Sequence, residues 1–153
     1  MKKEIILRQL RSAKAAHISW VQKAKLLIEG VEIDKSAIPI NSTECQFGEW
    51  FYSDAQKLNG LRNNSLDCME NIENYHAQLH DTYLQIFKLY YLVENKGFFA
   101  KLFTGKKKIS EETTKKGREH FLQLEIISKE LLTEIARLER RVIAISNEEI
   151  ETL

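Results

Sequence analysis

Histidine and cysteine are the scarce residues of this chain that could do chemistry, because 153 residues include only four His and two Cys. His76 and His80 are four positions apart, so on a helix they lie one turn apart on the same face. Two imidazoles at this spacing can direct ring nitrogens to one point, a common way for a helix to hold a metal ion. His17 occupies an inward position of another predicted helix. A lone histidine is more often a hydrogen-bonded core residue, but three on the inward faces of two helices favour a shared site.

Cys45 is the candidate for a fourth ligand. It falls in the first turn or two of a predicted short helix, where the helix dipole favours the thiolate, the metal-binding form of cysteine. As a lone cysteine it would more simply be an apolar core residue, and Cys68 fits that interpretation well. Gly48, inside the same short helix, costs about 1 kcal/mol relative to alanine, so we expect a packing reason such as a closely facing helix. His120 lies in a charged run and is predicted to be solvated.

Helices must position these residues. Six Gly and one Pro are too few for the turns of a β-sandwich or barrel. The content of 43% hydrophobic and 29% charged residues excludes a disordered chain. Apolar residues recur in steps of three and four, the pattern of a helix buried along one stripe, in three long segments. These segments cover about residues 3–29, 64–95 and 110–147.

A fourth, shorter helix is predicted at about residues 42–59. Asn41 and Glu44 form a capping-box pair at its start, and Gly60 stands where a C-terminal glycine cap belongs. Short connectors between the four helices indicate an all-α fold, an antiparallel four-helix bundle with one short helix. A chain of this length forms one domain, so we predict a single helical domain over residues 1–153.

Taken together, these residues resemble the chemoreceptor zinc-binding (CZB) domain family. The family has a His, then a Cys in a C-x-F/L-G-x-W motif, then a closing His-x3-His. The resemblance covers roughly residues 13–95 and depends on His17, the run Cys45-Gln-Phe-Gly-Glu-Trp50, and His76-Ala-Gln-Leu-His80. Beyond it we expect only a packing helix at about residues 110–147.

The resemblance implies one Zn²⁺ held inside a small helical bundle. The implied ligands are His17, Cys45, His76 and His80. Gly48 and Trp50 are then packing residues of the motif. Three imidazoles and a thiolate fill a tetrahedral zinc shell with no position left for water, so we expect no catalysis.

Family members usually sit beside an output module, such as a chemoreceptor signalling hairpin or a cyclic-dinucleotide synthase, and report zinc or oxidant to it. This chain shows no second domain, so we expect a stand-alone sensory protein that signals through a partner in bacterial chemotaxis or cyclic-di-GMP regulation. Cys45 is the expected redox-sensing residue, with hypochlorous acid as the oxidant. Two alternatives stay open. One is a structural or adaptor protein whose zinc staples the bundle without switching, and the other is a metalloenzyme with an open site.

A homodimer is expected as well, from the resemblance and from apolar positions beside the stripes of the first and last long helices. These positions are Ile5, Val21, Ile28, Phe121, Ile127, Leu132 and Ile143. The near balance of 23 basic and 22 acidic residues does not suggest nucleic acid as a partner. The charged N-terminus has no apolar segment behind it, so we expect a cytoplasmic protein.

Residues 96–108 form the one compositionally biased segment, with five lysines, three phenylalanines and no acidic residue. Such a segment can contact an anionic membrane surface. We favour the simpler interpretation, a connection whose phenylalanines close the end of the bundle while the lysines are solvated.

Overall fold

A computed structural model describes residues 1–62, 66–93 and 109–153 of the chain, and all its regular elements in these ranges are helical. The all-α prediction is confirmed. In chain order the elements are α1 (Lys3–Ile28), α2 (Gln46–Phe51), a 3₁₀ helix (Asp54–Gly60), α3 (Leu66–Phe87), a π-helical segment (Lys88–Val93), α4 (Glu111–Ala144) and α5 (Asn147–Glu151). The biased segment 96–108 lies outside the described residues.

The start of the predicted short helix, near Asn41, is wrong. α2 begins one residue after Cys45, whose Sγ accepts a hydrogen bond from the backbone N–H of Gly48 over 3.2 Å. The sulfur therefore acts as the N-cap that the sequence pattern assigned to Asn41. Asn41 instead belongs to a turn in which its carbonyl accepts the backbone N–H of Glu44.

The extent of the short helix, about residues 42–59, is also wrong, because two elements occupy this range. α2 stops at Phe51 after six residues, and the 3₁₀ helix follows. The Ser53 hydroxyl donates to the carbonyls of Glu49 and Trp50. A serine that bonds preceding carbonyls competes with the backbone N–H groups that would continue the helix.

Ion pairs and caps show the directions of the three long helices. Lys3, at the start of α1, donates to the carbonyl of Ile143 at the end of α4 over 2.7 Å. Asp67, at the start of α3, accepts from Arg141, also near the end of α4, over 2.8 Å. α4 therefore runs opposite to both α1 and α3, and both pack on it.

The predicted stripes form the core between these helices. The seam of α4 is buried throughout, at Leu124, Ser128, Leu131, Ile135, Leu138, Val142 and Ile145. Two of the apolar positions expected beside the stripes, Ile28 and Phe121, are buried within the chain and are not available for a dimer contact. Ile5 and Ile143 are exposed. None of the described helices is both long enough and apolar enough to cross a membrane.

Candidate metal centre

Four side chains from three elements converge on one point inside the bundle. His17 comes from α1, Cys45 from the N-cap of α2, and His76 and His80 from α3. One potential ligand atom from each lies within 4.8 Å of the others, and all four residues are buried. His76 is the centre of the group, because its Nε2 is 3.2 Å from Cys45 Sγ and 3.1 Å from His80 Nε2. The structure thus brings together the four predicted ligands.

The outer nitrogens of two imidazoles are hydrogen-bonded to the backbone. His17 Nδ1 lies 2.6 Å from the carbonyl oxygen of Ala13, one turn earlier on α1. His80 Nδ1 lies 2.9 Å from the carbonyl oxygen of Pro39 in the connector after α1. A carbonyl can only accept, so Nδ1 carries the proton in both rings and Nε2 keeps its lone pair. This is how a metal-ligating histidine is usually oriented.

The interior of the group is short of hydrogen-bond partners. His17 Nε2 is buried, and no described residue bonds to it. His76 Nδ1 is also buried without a bond from a described residue, but it is the outer nitrogen of a ring whose Nε2 faces Cys45 and His80. Leaving a buried nitrogen unpaired costs about 1–3 kcal/mol. The inward lone pair of His17 Nε2 is therefore satisfied only when an electron-poor group such as a metal ion accepts it.

Burial keeps the histidines neutral, which is the metal-binding form. It lowers the pKa of His17 to about 4, against a smaller opposing effect of the Ala13 carbonyl. It lowers the pKa of His76 to about 2, and the neighbouring His17 and His80 lower it further. The pKa of His80 is lowered by burial too. All three imidazoles are uncharged at neutral pH.

The Cys45 thiol behaves differently from the prediction. Burial raises its pKa, and the N–H of Gly48 opposes this without reversing it. The end of a six-residue helix is therefore insufficient to produce a thiolate. Cys45 Sγ lies 3.4 Å from the carbonyl oxygen of Ser42, to which the thiol donates. A cation among the four ligands is needed to favour the thiolate.

The donor set fits Zn²⁺. Tetrahedral zinc binds imidazole nitrogen and thiolate sulfur at about 2.0–2.3 Å, which places donor atoms roughly 3.3–3.8 Å apart. The separations in this group, from 3.1 Å to at most 4.8 Å, bracket that range. A set of three neutral nitrogens and one sulfur favours Zn²⁺ over Mg²⁺ and Ca²⁺, which prefer oxygen ligands.

Gly48 has a packing role, but its neighbour differs from the one predicted. A Cβ at this position would lie 1.7 Å from the carbonyl oxygen of Ser42, in the turn just before Cys45, and not against a facing helix. The missing side chain lets residues 42–48 fold back tightly and direct Cys45 inward. Trp50 is buried, with its ring 5.9 Å from that of Phe47.

Two aromatic rings lie beside the ligands, a role that the sequence analysis assigned to neither. The Trp20 ring lies 4.6 Å from the His17 ring, and the Phe47 ring lies 5.1 Å from the His76 ring, both edge to face. They shield the imidazoles from water and fix their planes. Trp20 follows His17 by three residues, so the helical period could have identified it. No sequence signal indicated the Pro39 carbonyl, because its contact with His80 spans 41 residues.

Comparisons with known proteins agree with this geometry. The family model of the chemoreceptor zinc-binding domain matches residues 17–87, a range that begins at His17 and includes the other three ligands. Searches of curated proteins and of solved structures give no match. Zn²⁺ is the cofactor that both the family and the four-residue group support. Residues 17–87 of the chain therefore resemble the chemoreceptor zinc-binding domain, as the motif predicted.

Proposed function

We propose that the protein is a zinc-dependent sensory or regulatory protein in which Cys45 is the element that responds to oxidant. The observation that carries this proposal is the composition of the buried group, three imidazoles and one thiol at the start of a short helix. Held by these four residues, Zn²⁺ would supply the positive charge that keeps Cys45 as a thiolate. Cysteine is the one member of this ligand set that a mild two-electron oxidant converts to a poor ligand.

The chemical step is a two-electron oxidation of sulfur. The Cys45 thiolate attacks the chlorine of hypochlorous acid. An S–Cl bond forms, the O–Cl bond breaks, and hydroxide leaves, which gives a sulfenyl chloride. Water replaces chloride to give the sulfenic acid, with release of Cl⁻ and H⁺. The net change is thiolate plus HOCl to sulfenic acid plus chloride. His17, His76 and His80 then remain as a three-nitrogen group with one open position.

The position of Cys45 connects this step to the fold. Cys45 caps α2 through Gly48 N–H, and α2 packs against α1. Phe47, on the first turn of α2, contacts the rings of His17 and His76. Loss of the sulfur ligand removes one attachment of α2 to the long helices, which is the kind of bistable element a sensor needs. A four-ligand shell leaves no site for substrate, so we propose no catalytic activity.

Zinc release after mixing with hypochlorous acid tests the proposal. Stopped-flow mixing with a zinc-sensitive dye should show fast zinc release from the wild type. The amount of zinc released should track the sulfenic acid labelling of Cys45. Cys45→Asp retains a charged ligand without an oxidisable sulfur, and its release should be slow. Cys68→Ala is the matched control, and it should respond like the wild type.

The alternative of a zinc-stapled structural protein makes the opposite prediction. Slow release from the wild type, or release equally fast from Cys45→Asp, would show that zinc has only a structural role here. Fluorescence of Trp20, whose ring borders His17 and His80, follows the same reaction without a dye.

The finer architecture and the output belong to the same proposal. We propose that α2 and the 3₁₀ helix take the fourth place in an antiparallel bundle, that two chains associate, and that a cytoplasmic signalling protein of chemotaxis or cyclic-di-GMP regulation receives the signal. Exposed Ile5 and Ile143 support association of two chains. Light scattering at micromolar concentration should give the mass of two chains, and a mass of one chain would contradict the dimer.

A further inference from the structure

The connector between α1 and Cys45 is held by two side chains of the α3 line. His80 Nδ1 donates to the carbonyl of Pro39. Eleven residues later, in the π-helical segment, the Tyr91 hydroxyl donates to the carbonyl of Ile33 over 2.5 Å. Between these attachments, Ser36 N–H is bonded to the Asp34 carboxylate. The connector that ends in the sulfur ligand is thus fixed at Ile33 as well as at Pro39.

The π-helical segment makes the attachment at Ile33 possible. An α-helix continued from Ile86 would return to the core side at Tyr90, and its neighbour Tyr91 would turn away. A π-helical turn has one residue more per hydrogen-bonded ring, and here both Tyr90 and Tyr91 are buried. The Tyr90 hydroxyl bonds to Ile28 at the end of α1. Two adjacent tyrosines therefore reach two different parts of the chain.

We propose that Tyr91 is a positioning residue for the zinc site: its hydroxyl holds the connector so that Pro39 meets His80 and Cys45 reaches the other ligands. π-helical turns are costly and often occur at functional sites, and this one serves to bring a hydroxyl to the connector. Without the attachment at Ile33, a longer stretch of connector must be ordered each time Cys45 binds, which raises the entropic cost of binding. This inference depends on zinc binding and not on oxidant sensing.

Three tyrosine-to-phenylalanine variants separate positioning from simple stabilisation. Tyr91→Phe removes the hydroxyl but keeps the ring beside Phe87 and Lys35. Tyr90→Phe removes a hydroxyl of the same π-helical segment that donates to the carbonyl of Ile28 at the end of α1. Tyr83→Phe removes a buried hydroxyl to which no described residue bonds. All three variants change one oxygen atom within one stretch of the chain.

Zinc dissociation into excess chelator, measured where every variant is folded, is the test. We expect Tyr91→Phe to release zinc about three- to tenfold faster than the wild type, the ratio that one net hydrogen bond supplies. Tyr90→Phe should lower the melting temperature without changing the release rate, and Tyr83→Phe should change neither measurably. Release from Tyr91→Phe at the wild-type rate, or equal acceleration in Tyr90→Phe, overturns the proposal.

Hydrogen exchange of the wild type provides a second measurement that does not depend on folding of a variant. In the metal-free protein, we expect the amides of residues 33–37 to stay protected from exchange. The amides of residues 42–48 should exchange faster than in the zinc-bound protein. Equal loss of protection in both stretches on zinc removal would show that Tyr91 does not hold the connector.

Discussion

Two regions of the bundle satisfy their polar groups in different ways. In the first, which we call the ion-pair end, Glu139 of α4 accepts from Arg11 over 2.6 Å and from Lys14 on α1. Asp67 accepts from Arg137 over 2.7 Å in the same region. In the second region, the metal centre, two buried nitrogens, on His17 and His76, have no partner among the described residues.

The difference shows which part of the fold depends on the metal. Every charge of the ion-pair end that we have described has a countercharge supplied by the chain, so α1 and α4 can associate there without metal. At the metal centre, imidazole nitrogens and the cysteine sulfur face one another, and the four-residue group contains no positive charge that could accept their lone pairs. We therefore expect the metal-free protein to keep the α1–α4 contact and to loosen around α2 and residues 42–48, because metal-binding free energy is coupled to folding only where the ligands lie.

The largest expected effect is the loss of one ligand. His76→Ala removes the nitrogen nearest to both Cys45 Sγ and His80 Nε2. Zinc affinity should fall by on the order of 100-fold or more, since an opened shell loses a full metal–ligand bond. Competition with a chelator of known affinity measures this. His17→Ala, Cys45→Ala and His80→Ala should behave alike.

Replacement of a histidine or cysteine outside the metal centre is the matched control for that series. His120→Ala and Cys68→Ala should retain one zinc per chain. If Cys68→Ala empties the site and Cys45→Ala does not, the ligand assignment is wrong.

Acid should lower the free energy of unfolding of the metal-free protein, because the buried His17 of the metal centre resists protonation in the folded state. The folded pKa of His17 lies at about 4, below the ordinary histidine pKa of 6.5. The unfolded chain therefore takes up a proton below pH 6.5 that the folded chain refuses, and the stability falls as the pH drops from 6.5 towards 4. At 1.36 kcal/mol per pKa unit, His17 alone accounts for about 3 kcal/mol. Urea unfolding at a series of pH values measures it. A flat stability over this window would contradict a buried neutral His17.

Gly48→Ala should disturb the metal centre without removing a ligand. The new Cβ would meet the backbone of Ser42 and displace the turn that directs Cys45. We expect zinc affinity to fall at least tenfold and the free energy of unfolding to fall by about 2 kcal/mol. Gly60→Ala is the control, because its Cβ would meet only the end of the flexible Leu153 side chain. Equal zinc affinities in the two variants would show that Gly48 is not needed to direct Cys45 inward.

Glu139→Gln should affect the ion-pair end alone, and it is the smallest change. Partly exposed ion pairs contribute about 1 kcal/mol or less, so the free energy of unfolding should fall by about that amount in both the zinc-bound and the metal-free protein. The lowered pKa of Glu139, caused mainly by Lys14, adds stability above the ordinary carboxyl pKa that is lost as the pH falls through the folded value. A change in zinc affinity in this variant would show that the two regions are not independent.

The ligands were predictable from the sequence for two reasons. Helical spacing pairs His76 with His80, and the resemblance to a known motif singles out His17 and Cys45. The long helices followed from apolar periodicity, which depends only on positions close in sequence. What failed depended on contacts distant in sequence or on competition within a turn. Ser53 ended α2 early through its hydroxyl.

Two features of the site had no sequence signal at all. The π-helical segment accompanies a contact of Tyr91 with Ile33, 58 residues away. The raised pKa of Cys45 depends on how completely the fold buries it, which outweighs the helix end that the sequence predicts. Both features arise from packing, and periodicity does not describe packing.

X-ray absorption at the zinc edge of the purified protein is the sharpest test of the ligand assignment, since it reports which atoms surround the metal. We expect one zinc per chain with three nitrogen ligands and one sulfur ligand, at about 2.0–2.1 Å and 2.3 Å, and no coordinated oxygen. A shell with two sulfurs would show that Cys68 takes part, and a shell with no sulfur would exclude Cys45. A bound water oxygen would contradict the closed four-ligand site.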